Sequence, residues 1–207
     1  LGRQLQVPEY FVRQAQNLFA LLQSKNFTPG RPTRLVALGC LYLVCRQNQT
    51  GHMLRDFVNA VERVDVYAVS KMYLKICQAT HQSLPLNDPS LYVPRFVRRA
   101  GLPPALEPEL LGYVNQLLCR MRIDWMSHGR RPVGLIAAAF FIACRCFGLE
   151  RSVREVAEVF GVSAETVRKR VGEFKELRVS RLTREEFTEQ LEALEGEDPP
   201  AFRRPRP

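Results

Sequence analysis

The chain has 207 residues, 46% of them hydrophobic, and a formal charge of +9 at pH 7. That is enough apolar material for one large domain or two of about 100 residues each. No apolar run approaches the roughly 18–20 residues needed to cross a bilayer, and no signal-peptide pattern opens the chain, so a soluble protein is expected.

Charge is spread unevenly. Residues 1–100 carry 13 basic and 5 acidic side chains and residues 101–184 carry 14 and 9, whereas Glu185 to Asp198 hold seven acids and no base. A basic body favours anionic partners, nucleic acid first, although a merely soluble basic protein has the same balance. None of the six cysteines (Cys40, Cys45, Cys77, Cys119, Cys144, Cys146) forms a C-x-x-C pair, and most sit in apolar helical runs. They read as reduced structural thiols, with no metal and no cofactor expected.

In chain order, Phe11, Ala15, Leu18, Phe19 and Leu22 form an i, i+4, i+7, i+8 stripe, the mark of an amphipathic helix. Gly30-Arg31 then precedes an almost wholly apolar helix, Leu35 to Cys45. Such a helix must be surrounded by others, so it is the hub of a small bundle. Two shorter helices follow, Leu91 to Ala100 closes the unit, and Gly101-Leu102-Pro103-Pro104 is a short connector. A second amphipathic helix, Gly129-Arg130, and a second apolar hub from Leu135 to Cys144 repeat the pattern.

Self-comparison makes the repeat explicit. Sliding the chain by 99 positions lays Gly30 to Gln47 over Gly129 to Cys146, and Met53 to Val58 over Ser152 to Ala157. A slide of 95 lays Val7 to Leu22 over Leu102 to Leu117. The expected class is all-α: a first repeat over 1–100, a second over 101–194 ending in a short helix from Arg184 to Leu194, and a proline-rich charged tail, 195–207, disordered or partner-bound.

The stretch from Arg154 to Phe174 has the pattern of a helix-turn-helix. Ala157 fills the small position, Gly161 the turn, and Val156, Phe160, Val162 and Val167 the locking apolar positions, with Arg170 standing where one more apolar residue belongs. Ser163 is a natural N-cap for the second helix, and Glu165 suits its dipole. With the apolar set turned inward, Ser163, Ala164, Glu165, Arg168 and Lys169 face outward. Arg168 can donate two hydrogen bonds to a guanine edge, and Lys169 suits a phosphate. Arg170, Lys175, Arg178, Arg181 and Arg184 prolong a basic track, which a solvated helix face also explains.

At the slide of 99, Val66, Val69 and Ser70 stand opposite Glu165, Arg168 and Lys169, so the first copy is expected to keep the scaffold and lose the charges. That asymmetry favours DNA reading by the second repeat and leaves the first, with Arg34, Lys71 and Lys75, for protein contact. Arg31 and Arg130, each ahead of a hub helix, are candidates for phosphate or simply exposed loop arginines. His52, His81 and His128 have no metal-ligand spacing, and phosphate loops and nucleophile elbows are missing, so an enzyme is not expected.

"CLYLVCRQ", "GRRPVGLIAAAFFIACR" and "REVAEVFGVSAETVRKR", in tandem five-helix repeats, resemble the cyclin-like core of the transcription factor IIB family over residues 5–187. Within it, the likeness is nearest to the branch serving RNA polymerase III at gene-external promoters of the small nuclear RNA type. The resemblance implies a nuclear initiation factor that binds TATA-binding protein on TATA-box promoter DNA, mainly through the first repeat, and recruits the polymerase and other initiation-factor subunits. It implies that Ser163, Glu165, Thr166, Arg168 and Lys169 read the major groove, Arg168 matching the family's base-contacting arginine. Glu165 departs from the family's apolar valine, which puts the family's usual upstream element in doubt. The family's zinc ribbon is missing from these 207 residues, so no zinc is expected. The competing reading is a cyclin-type protein-binding module, because the fold is shared.

Overall fold

A computed structural model describes residues 2, 4–61, 64–82 and 88–190, and the described residues are helical without a strand. The chain divides into two compact units, Leu1–Asn87 and Asp88–Pro207.

The first unit contains α1 (Glu9–Ser24), α2 (Thr33–Gln47), α3 (Leu54–Asn59) and α4 (Val66–Thr80). α2 is the hub expected from its composition: Val36, Leu38, Cys40, Leu43, Val44 and Cys45 are all buried on it. Gly39 lets α4 come close, since a Cβ there would stand 2.7 Å from the Ile76 Cδ1. Tyr42 meets Phe57 and Tyr73 edge-on at 5.3 and 4.9 Å, closing the core over α3 and α4.

The second unit begins with a 3-10 turn, Pro89–Tyr92, and α5 (Val93–Arg99). It continues through α6 (Glu107–Ile123), α7 (Pro132–Cys146), α8 (Val153–Phe160), α9 (Ala164–Lys175), a 3-10 turn at Arg178–Arg181 and α10 (Arg184–Gln190). Its hub is α7, on which Ile136, Ala137, Ala138, Ala139, Ala143 and Cys144 are fully buried. The segment 91–100, read from sequence as the end of the first repeat, packs in this unit against α6 and α8. Its apolar face decides the matter: Val93, Phe96 and Val97 are buried, and Phe96 stacks on Phe160 at 4.5 Å. The division therefore falls at Asn87/Asp88 instead of after Ala100. The helix expected from Arg184 to Leu194 is described as far as Gln190; the proline-rich tail lies outside the described residues.

The cap loops fix the register of the repeat. α1 and α6 both end on a left-handed residue, Asn26 (φ 53°) and Trp125 (φ 56°), 99 positions apart. Phe27 N donates to Leu22 O, and Met126 N to Met121 O, both at 2.9 Å. The first helices thus correspond at an offset of 99, not 95. The discrepancy is four residues, about one helical turn, and a stripe slid by one turn lands nearly on itself.

A second correction concerns α4 and α9. Their N-caps are Asp65, which accepts from Ala68 N, and Ser163, which accepts from Thr166 N, 98 positions apart. The preceding N-caps, Met53 and Ser152, are 99 apart, so the first unit has one extra residue in the turn. In this register the buried Val69 and Ile76 match the buried Val167 and Phe174. Opposite Glu165, Arg168 and Lys169 stand Tyr67, Ser70 and Lys71. The first repeat therefore retains one of the charged positions that the slide of 99 assigned as lost.

Candidate nucleic-acid interface

α8 starts with a reciprocal cap: Glu155 N donates to Ser152 Oγ and Ser152 N to Glu155 Oε2, both at 3.1 Å. It ends at Gly161 in the left-handed region (φ 63°), where a side chain would be strained. Phe160 stacks on Phe96 and lies 5.3 Å from Phe140, and Ala157 is buried, so α8 is fixed from beneath. The turn then delivers Ser163 as the N-cap of α9. This is the helix-turn-helix geometry expected from the sequence.

α9 is locked by its inner face. Val167 and Phe174 are buried, and Thr166 sits over Gly134 of the hub, where an added Cβ would stand 3.0 Å from its Cγ2. The Thr166 hydroxyl lies 2.7 Å from Ser163 Oγ, so both hydroxyls serve the cap. Glu165, Arg168 and Lys169 point outward, with side chains 62%, 55% and 65% exposed. The Glu165 carboxylate lies 3.6 Å from Arg168 and 3.9 Å from Lys169. Exposed pairs of this kind contribute about 0–1 kcal/mol, so both cations are released at little cost.

Arg170, placed by sequence on the basic track, is turned inward. Its side chain is 18% exposed and donates to Glu173 Oε2 at 2.8 Å. Burial pulls its pKa below the usual arginine value, while Glu173 opposes that shift. Glu173 also accepts from Arg130 Nη2 at 3.1 Å, and Arg130 Nη1 reaches back to Met126 O at 2.6 Å. Arg130 is thus half-buried and tied to α9. Arg31, its counterpart, donates to Phe27 O and lies over the Phe27 ring, 4.2 Å from its centroid. Both arginines fold back onto their own loops instead of extending from them. Lys175, Arg178 and Arg181 continue the exposed track, and Arg184 covers the Phe147 ring at 4.7 Å.

In the first unit, Lys71 and Lys75 share an outward face of α4 with the exposed Tyr67 and Leu74, while Arg34 is exposed on the first turn of α2. Sequence reasoning missed Glu173 as an anchor, although the charge of Arg170 at an apolar position was its signal. It also missed the pair Arg120–Asp124, fully buried and bidentate at 2.9 and 2.8 Å. Spacing i, i+4 was the available clue, and surface pairs show it equally.

The family model for the transcription factor TFIIB repeat matches residues 1–79 and 82–177. The chain belongs to the TFIIB repeat family. Among its relatives in that family, the transcription factor IIIB 90 kDa subunit of Homo sapiens is 38% identical over 98% of this chain and 29% of its own length. The transcription factor IIIB 60 kDa subunit of Schizosaccharomyces pombe is 38% identical over 96% of this chain and 40% of its own length. Transcription initiation factor IIB of Methanocaldococcus jannaschii is 31% identical over 83% of this chain and 25% of its own length. The chain thus spans well under half of these relatives. The two matches of the repeat model meet near residue 80, close to the division between the units.

Proposed function

We propose that this chain is the core of a general transcription initiation factor, acting in the nucleus with RNA polymerase III, and that α9 reads promoter DNA. The observation that carries the reading is the outward trio Glu165, Arg168 and Lys169 on a helix fixed by its cap, by Val167 and by Glu173. Rigidity matters because a base contact of hydrogen-bond length tolerates little displacement. Arg168 faces the guanine edge, Lys169 the phosphate, and Glu165 accepts from the cytosine N4 amino group. Lys175, Arg178 and Arg181 follow the flanking backbone. Arg130 acts as a positioning residue, because its guanidinium is already engaged. The names of the transcription factor IIIB relatives support polymerase III over a cyclin-type module.

The first unit takes TATA-binding protein on the α4 face that carries Tyr67, Lys71, Leu74 and Lys75, with Arg34 beside the start of the hub. Aromatic and apolar anchors ringed by lysine suit an acidic protein surface. Gel shifts on a TATA promoter with TATA-binding protein test both parts. Arg168→Ala is expected to cost about 1–3 kcal/mol and to relax base preference at one position. Complexes of unchanged affinity and preference would remove the groove-reading role.

A further inference from the structure

α10 is seated on α6. Phe187 is buried with its ring 5.6 Å from Tyr113, and the Thr188 hydroxyl lies 3.4 Å from Gln116 Oε1. Phe187 and Thr188 thus seat α10 on the Tyr113–Gln116 stretch of α6. Beyond Gln116 the same face continues through Cys119 and Ile123, spaced i+3 and i+7. Cys119 is half-buried, and Arg122 leans over it, Nη2 standing 3.9 Å from its sulfur.

The face ends at Trp125, 51% exposed and held outward by its left-handed backbone, with the His128 ring 5.0 Å away. Arg122 and Arg131 are exposed, and the single acid between Gln116 and Arg131, Asp124, is fully buried against Arg120. The corner is therefore apolar and positive. Folding does not require this: the first unit builds the same loop with Gln23, Ser24, Asn26 and Pro32 in place of Arg122, Ile123, Trp125 and Arg131.

We propose that residues 191–198 of this chain, "LEALEGED", are the ligand of that corner. Leu191 and Leu194 lie on Cys119 and Ile123, the acids Glu192, Glu195, Glu197 and Asp198 face Arg122 and Arg131, and the segment shields Trp125. Length permits it. Gln116 to Trp125 spans about 14 Å of helix, and eight extended residues starting beside Gln116 reach about 26 Å. Sign and order also agree, since the acidic run begins where α10 is already docked. Tethering removes most of the association cost and makes weak contacts sufficient.

Trp125 is the chain's single tryptophan, so its fluorescence reports this corner alone. In the full 207-residue chain, acrylamide quenching is compared between the unaltered protein, Leu191→Asp with Leu194→Asp, and Glu192→Lys with Glu195→Lys. Both variants are expected to quench about twofold more strongly and to emit further to the red, as water reaches the uncovered ring. Equal quenching in all three proteins overturns the assignment. Shielding that vanishes on dilution while ignoring the tail variants assigns the corner to a second copy and also overturns it. A Leu194→Cys variant gives an independent reading under mild oxidation. Pairing with Cys119, mapped by mass spectrometry, is expected; pairing only with the exposed Cys146 contradicts the placement.

Discussion

Glu173 accepts from Arg130 at 3.1 Å and from Arg170 at 2.8 Å, so one carboxylate joins the loop ahead of the hub helix to α9. All three side chains are about one-fifth exposed, which makes the cluster stronger than a surface pair and weaker than a sealed one. Glu173→Gln is expected to lose about 1–3 kcal/mol in chemical denaturation, because two partly desolvated guanidiniums lose their counter-charge. If the cluster positions α9, the same variant also weakens DNA binding in stably folded protein.

Arg120 and Asp124 make the opposite experiment possible. Asp124→Ala removes the carboxylate paired with a buried arginine and is expected to cost about 3–5 kcal/mol. Replacing both residues by leucine is expected to be far milder, since apolar side chains leave no unpaired charge in the buried site. Denaturation midpoints of the single and double variants decide the point. A double variant as unstable as the single would mean that the pair contributes more than mutual neutralisation.

Glu165 separates recognition from stability. Its contacts with Arg168 and Lys169 are long and exposed, so Glu165→Val is expected to change stability by less than about 0.5 kcal/mol. The same change frees both cations and removes an acceptor for cytosine. Selection from randomised DNA flanking a TATA box should then give a different preferred base beneath α9. An unchanged preference would show that Glu165 does not face a base.

The buried thiols predict alkaline sensitivity. Burial pushes Cys40 up to about 12 and Cys144 up to about 11 from an ordinary value of 9.0, and it also raises Cys45. A thiol whose folded value is raised keeps its proton while the unfolded chain releases it. Stability is therefore fully present below pH 9 and falls as pH rises toward 12. Denaturation midpoints measured across this window are expected to drop, and Cys146 is expected to alkylate before Cys40 and Cys144 at pH 8.

Much of this molecule was legible in the chain because helical period, cap residues and glycines are local signals. The hubs, the Ser163 cap and the Gly161 turn were read correctly for that reason. Register was harder. An amphipathic stripe slides by one turn without penalty, so only the cap loops at Asn26 and Trp125 fix α1 against α6. One extra residue between Met53 and Asp65 shifts α4 against α9, and it moves Lys71 opposite Lys169. Partnership was illegible: the apolar face of Val93, Phe96 and Val97 suits either neighbour in sequence, and packing on α6 and α8 decides it. Arg130 shows the same limit, since its partner Glu173 is 43 residues away.

The central claim is that α9 reads a groove beside a TATA box. A footprint of the chain with TATA-binding protein on a TATA-containing small nuclear RNA promoter tests it most directly. Protection is expected on both sides of the TATA box, with loss of major-groove protection upstream in Arg168→Ala and retention of the rest. An Arg168→Ala footprint identical to that of the unaltered chain, or no protection outside the TATA box in either protein, would contradict the account.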